Sequence, residues 1–188
     1  MKCPFENLYS RFEQITTTKE WERLQNSFNE ADSVYIIGNG GNMAVASHAA
    51  ADATRLSGKK TYALDSQSLL TSIANDFGYE NIFKRWLELY ALGSKETKSI
   101  VIGYSGSGGS KNVISALAWA KDQYNFSSHL ISGQKSTCLP DGVNELVCET
   151  QYFHTHEIMC VMSFYELVYG SGNKCPVIKD EIIRKMVH

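Results

Sequence analysis

The sequence predicts an α/β domain: a five-stranded parallel sheet between two layers of helices, an α-β-α sandwich. Three observations predict it. Short apolar runs alternate with longer amphipathic ones along the chain. No two neighbouring apolar runs are joined by a hairpin turn, so crossovers must join them and the strands lie parallel. Two of the runs, "SVYII" and "KSIVIGYS", open into a glycine-rich turn and then a helix. In an open α/β sheet both turns face the crevice beyond the strand ends, where ligands bind.

The elements follow in order. Residues 5–30 carry Phe5, Leu8, Phe12, Trp21, Leu24 and Phe28 among charges, which predicts one or two amphipathic helices broken around "TTTK". "SVYII" is a buried strand, and the glycine turn after it releases a helix over about 43–56. "KKTYAL" is the second strand. Ser68 begins a short helix with Leu69, Leu70 and Ile73 on one face; Gly78 interrupts it and 81–92 resumes. "KSIVIGYS" is the third strand and "GSGGSKNVISALAWAKDQ" its turn and helix. "SSHLIS" and "NELVC" complete the sheet, a long helix fills about 151–169, and "GSGNKCP" ends it. The tail "VIKDEIIRKMVH" reads as a further short helix. No linker, repeat or low-complexity tract divides the chain, so 1–188 is one domain with an N-terminal helical segment, 1–30.

Composition excludes several classes. A formal net charge of -2 over 188 residues leaves no electrostatic footprint for nucleic acid, though a local pocket for a small anion remains open. No apolar run reaches the 18 or so residues that span a bilayer, and the N-terminus lacks a secretory leader's apolar stretch, so a cytoplasmic protein is expected. Cys3, Cys138, Cys148, Cys160 and Cys175 contain no CxxC and are odd in number, which predicts reduced, structural thiols.

"GNGGN" is neither GxGxxG, since Met43 holds the sixth position, nor a phosphate loop with GKS or GKT. What remains is a turn that lets backbone approach a ligand closely and aims amides at an anion or polar substrate, or else a structural turn. Asn39 and Asn42 add side-chain hydrogen-bonding groups beside Gly40 and Gly41. "SGSGGS" sharpens this: Ser105, Ser107 and Ser110 set hydroxyls beside flexible backbone at a helix start, a pattern that suits a phosphate monoester. Lys111 assists from the edge or faces solvent. His48 and Asp52, four apart, share a helix face and suit acid–base work, a metal, or an ordinary surface contact. At the last helix, Gln151, His154 and Glu157 are spaced by three and share a face, whereas His156 points elsewhere and can serve a neighbouring subunit. The cluster is not HExxH.

Taken together, "GNGGNMAVASHAAAD", "SLLTSIANDFGYENIF" and "GYSGSGGSKNVISAL", in this order within 33–169, resemble the SIS (sugar isomerase) domain, in its phosphoheptose isomerase branch. The resemblance implies a flavodoxin-like sandwich and a homotetramer, or a dimer, with active sites at subunit interfaces. It implies a cytoplasmic isomerase of sedoheptulose 7-phosphate or a similar sugar phosphate, feeding lipopolysaccharide or capsule synthesis, with no nucleic-acid or membrane partner. The same branch also resembles a non-enzymatic replication-initiation regulator. That leaves a second reading, a sugar-phosphate-binding or partner-regulating protein without turnover.

Carried onto this chain, the resemblance places Ser105, Ser107 and Ser110 on the phosphate-binding serines, with Gly106 where the family has threonine. Asn39 matches the first loop's asparagine, Asn42 replaces a serine, and Asp76 matches an aspartate of the active-site region. His48 falls on a histidine that ligates zinc in some members. Asp52 falls on a catalytic, metal-binding glutamate, one methylene shorter; a displacement of about 1 Å costs roughly 10²-fold in rate. In the last helix the family has a glutamine and, eight residues on, a catalytic histidine. Matching Gln151 and His154 puts Met159 there; matching "YEL" to the family's "CEL" puts Met162 there. In either register that histidine is missing. The implied catalytic set is Asp52, His154, His156 and Glu157, with Asp52 as base and His154 as acid–base partner. The implied metal set is His48, Asp52, Gln151 and His154, with zinc the candidate ion and no organic cofactor.

Overall fold

The computed structural model describes residues 5–91, 97–123 and 126–177. The helix expected in the tail lies outside the described residues, apart from Val177. The described residues form a five-stranded, all-parallel sheet in the order β2-β1-β3-β4-β5, built from Lys60–Ala63, Ser33–Gly38, Ser99–Ser105, Phe126–Ser132 and Asn144–Val147. This is the predicted α-β-α sandwich. Its strand order reverses between β1 and β3, the switch point at which doubly wound sheets open a crevice.

Strand alternation sorts the core into two layers. Val34, Ile36, Ile100, Ile102 and Ile131 face one side, with α1 (Leu8–Ile15), α2 (Lys19–Glu30), α3 (Gly41–Ser57) and α7 (Phe153–Gly170). Tyr35, Ile37, Val101 and Leu130 face the other, with α4 (Gln67–Phe77), α5 (Ile82–Ala91) and α6 (Lys111–Lys121). The central strands β1 and β3 are buried along their whole length, which is why they read as continuous apolar runs. The edge strand β2 is only half-buried.

The N-terminal segment divides at "TTT", where Thr18 caps α2 through the Trp21 amide. It packs into the first layer through Phe12, Trp21, Leu24 and Phe28. Some boundaries move from their sequence positions. Ser66, not Ser68, caps α4, and a short 3₁₀ turn (Tyr79–Asn81) joins α4 to α5 after Gly78 at φ +83°. Helix α7 begins at Phe153, so Gln151 lies before it. The described cysteines, Cys138, Cys148, Cys160 and Cys175, are free thiols. No described helix is long and apolar enough to cross a membrane.

Candidate functional site

Because β1 and β3 pair in parallel, Gly38 lies beside Tyr104 and both glycine turns leave the same end of the sheet. In the first turn Gly40 takes φ +59°, open to glycine at no steric cost, and α3 starts at Gly41. A methyl group at Gly41 would lie 2.1 Å from Glu157 Oε1, so the α7 carboxylate rests directly on the first residue of α3. A carboxylate is favourably placed at a helix N-terminus. Glu157 also accepts from His154 Nδ1 at 3.4 Å, and His154 is 87% exposed. Asn42 is buried, and its Oδ1 has no hydrogen-bond partner among the described residues.

In the second turn Ser105 Oγ and Ser110 Oγ lie 2.9 Å apart, and Ser110 N donates to Ser105 Oγ. Ser107 Oγ accepts from Gly109 N at 3.3 Å. Ser110 stands at the N-cap of α6 yet makes no side-chain cap bond. The hydroxyl turns to Ser105 instead, which leaves first-turn amides of an 11-residue helix beside three serines. Gly108, at φ +69°, closes the turn; a methyl there would meet Gln134 O at 2.5 Å. Beside this turn opens a cavity of about 220 Å³, lined by Gly106, Ser107, Gln134, Thr150, Gln151 and Phe153 among others. Thr150 is buried there and its Oγ1 has no hydrogen-bond partner among the described residues. A larger cavity of about 440 Å³, walled by Ile73, Phe77, Leu89 and Trp119, lies among α4, α5 and α6 with no serine in its lining. Of the cavities formed by the described residues, the one lined by Gly106 and Ser107 borders the serine turn.

The two turns are stitched together by residues that sequence reasoning missed. Asn112, buried on α6, exchanges both amide hydrogen bonds with Asn39, and the Tyr79 hydroxyl donates to Asn39 Oδ1 at 3.0 Å. The signal for Asn112 was an amide two residues after Ser110 on an otherwise apolar helix face. Asp76 is exposed on α4, where its carboxylate accepts from Asn75 Nδ2.

Asp52 belongs to a second cluster. Its Oδ2 accepts from the Tyr165 hydroxyl at 2.6 Å, its Oδ1 from Arg55 Nη2 at 3.0 Å, and His48 Nε2 lies 3.6 Å from Oδ2. The Tyr165 hydroxyl also lies 2.9 Å from His48 Nε2. Burial first, then the bond to Asp52, push the Tyr165 phenol up to about 12, so it is a proton donor at neutral pH. Tyr165 is another residue the sequence reading missed.

Within one chain the two clusters do not meet. Helices α3 and α7 pack side by side, Gly41 against Glu157 and Asp52 against Tyr165, so they run in the same direction. His154 therefore stands about 16 Å along α7 from Tyr165, at 1.5 Å per residue. The expected zinc set of His48, Asp52, Gln151 and His154 splits into two pairs at opposite ends. No three His, Cys, Asp or Glu among the described residues are grouped to hold a metal ion. Met159 is buried and Met162 packs against the same core, so neither register offers a replacement ligand. The residues present in one chain do not fit a zinc ion.

The placement of His156 is corrected as well. It faces the interior, 1% exposed, rather than a neighbouring subunit. Its Nε2 lies 3.4 Å from Cys160 Sγ, its ring edge faces Gly106, and burial lowers its pKa to about 4.

No family model matches the chain. Its sequence is 46% identical over 95 residues to a phosphoheptose isomerase of Helicobacter pylori, covering 47% of each chain. To a phosphoheptose isomerase of Thermodesulfovibrio yellowstonii it is 41% identical over 116 residues, 58% of this chain and 56% of that one. The chain thus spans about half the length of the curated relatives it matches. Its structure superposes on phosphoheptose isomerase from Neisseria gonorrhoeae with a TM-score of 0.72 at 22% identity, covering 88% of this chain and 91% of that one. The fold is the α-β-α sandwich of that structure, and the matched stretch is related in sequence to phosphoheptose isomerases.

Proposed function

We propose that this chain is an aldose–ketose isomerase of sugar phosphates acting in the cytoplasm, with sedoheptulose 7-phosphate the substrate to test first. The observation that carries the reading is the serine turn. Ser105, Ser107 and Ser110 stand at an α6 N-terminus whose cap position is turned away, at the switch point of the sheet. Those hydroxyls and amides hold the phosphate. The first turn, with Asn39, Gly40, Gly41 and Asn42, lies where a sugar chain leaves it.

The reaction opens the sugar, removes the proton beside the carbonyl and returns it to the neighbouring carbon through a cis-enediol, which needs no organic cofactor. His154, paired with Glu157 over the first turn, handles the proton at the enediol oxygen. Asp52 is the base. On this reading Asp52, distant from His154 along one chain, serves the turns of a neighbouring copy, in keeping with the homotetramer, or dimer, that the family resemblance implies. A proton nuclear magnetic resonance assay in deuterated water tests the reading. The ketose should yield the aldose with solvent deuterium beside the carbonyl, and Asp52→Asn should lower that rate by about 10² or more. No exchange with any heptose, hexose or pentose phosphate would sink it.

One observation favours a second reading. The histidine expected on the last helix is replaced by core-packed methionine in either register. A chain that binds sugar phosphate without exchange is then a sensor or a regulator of a protein partner, and it should hold the ligand with no isotope incorporation.

A further inference from the structure

The place between His48 and Asp52 is taken. The Tyr165 hydroxyl lies 2.9 Å from His48 Nε2 and 2.6 Å from Asp52 Oδ2, and those two atoms are 3.6 Å apart. Zinc binds nitrogen and carboxylate oxygen at about 2.0–2.2 Å. On the side where the phenol sits, an ion held by both atoms would fall almost on the phenol oxygen. The other Asp52 oxygen is engaged by Arg55 Nη2, a positive charge that opposes a divalent cation at the same carboxylate. Stacking of Tyr165 on Tyr169 (centroids 5.9 Å apart) and its edge contact with Phe164 fix the ring that carries the hydroxyl.

We propose that Tyr165 stands in for a metal in this chain: its hydroxyl bridges His48 and Asp52 into a metal-free acid–base cluster. Tyr165 is a positioning residue. It donates its proton to Asp52 Oδ2 and accepts from His48 Nε2–H, which fixes the histidine tautomer and aims the carboxylate. The metal statement stands on geometry alone; the consequence for turnover rests on the isomerase reading.

Zinc titration of the chelator-treated full chain by calorimetry tests it. Tyr165→Phe keeps the ring, opens Asp52 Oδ2 and releases the His48 tautomer so that Nε2 can give up its proton and ligate, so it should bind zinc at least tenfold more tightly than the unaltered protein. Adding Asp52→Asn to that variant should remove the gain. Equal affinity in the unaltered protein and Tyr165→Phe overturns the proposal. So does zinc binding by the unaltered protein that His48→Ala abolishes. Where sugar-phosphate turnover is present, chelator should leave kcat unchanged and Tyr165→Phe should lower kcat by about 10² at constant KM. Loss of kcat on chelation overturns the proposal too. Absence of all turnover would sink the isomerase reading, and the zinc titration would still decide this one.

Discussion

Asn39 and Asn112 hold each other by both amides, each Nδ2 donating to the other's Oδ1 at 2.8 Å. The pair joins the turn after β1 to the helix after the turn of β3, across 73 residues of sequence. Asn112 Oδ1 also accepts from the Val113 amide, so the side chain is engaged on several sides. Asn112→Ala should strip these partners and cost about 1–3 kcal/mol. Urea unfolding measures that cost. Sugar-phosphate affinity should fall beyond it, because the two turns would no longer be held in register.

Removing the serine hydroxyls should weaken binding of the phosphate rather than the fold. Hydrogen bonds to charged groups contribute about 1.5–3 kcal/mol each, so Ser105→Ala or Ser110→Ala should raise KM or Kd roughly tenfold or more. Ser107→Ala, on the more exposed hydroxyl, should do less. Phosphate-ester titration by calorimetry checks the order.

Two buried histidines make stability depend on pH. Burial lowers both His129 and His156 from 6.5 to about 4. Asn144 Nδ2 donating to His129 Nδ1 at 3.1 Å suits the neutral ring. The unfolded chain takes up these protons near pH 6.5 and the folded chain only near pH 4. Stability is therefore full above about pH 6.5 and falls as pH drops toward 4, by roughly 1.4 kcal/mol per pH unit per histidine. Urea midpoints at pH 7 and pH 5 should show the fall. His129→Gln should remove about half of it.

Gly108 and Gly58 separate two costs of the left-handed conformation. Both have φ near +70°, but a methyl group at Gly58 meets nothing within 4 Å, whereas at Gly108 it meets the Gln134 carbonyl at 2.5 Å. Gly58→Ala should cost about 1 kcal/mol, the conformational penalty alone. Gly108→Ala should cost more and displace the serine turn, visible as a larger loss of ligand affinity than of thermal midpoint.

The strands and both turns were legible because their signals are local. Buried parallel strands read as apolar runs, and a glycine after such a run marks the turn that follows. Asn112, Tyr79 and Tyr165 were not legible, since each acts through a partner far away in sequence: Tyr165 reaches Asp52 across 113 residues. His156 is a different case. The buried face of α7 runs Thr155, His156, Met159, Cys160, Ser163, Phe164, Leu167 and Val168, a helical stripe that phases itself from Phe164 and Leu167. Phasing the helix from that apolar end, rather than from its polar start, puts His156 inside. Gln151 was misplaced because Tyr152 is the N-cap, which removes it from the helical face that the three-residue spacing assigns to it with His154.

On the proposed reading, the parallel run of α3 and α7 separates holding from reacting. The two turns proposed to hold the ligand sit at the starts of α3 and α6, while His48, Asp52 and Tyr165 sit about two to three turns down the α3–α7 seam. Two such regions answer to selection independently. A lineage with this architecture can let its proton-handling seam drift while its phosphate turns stay intact, and so pass from catalyst to receptor without rebuilding the part that recognises its ligand.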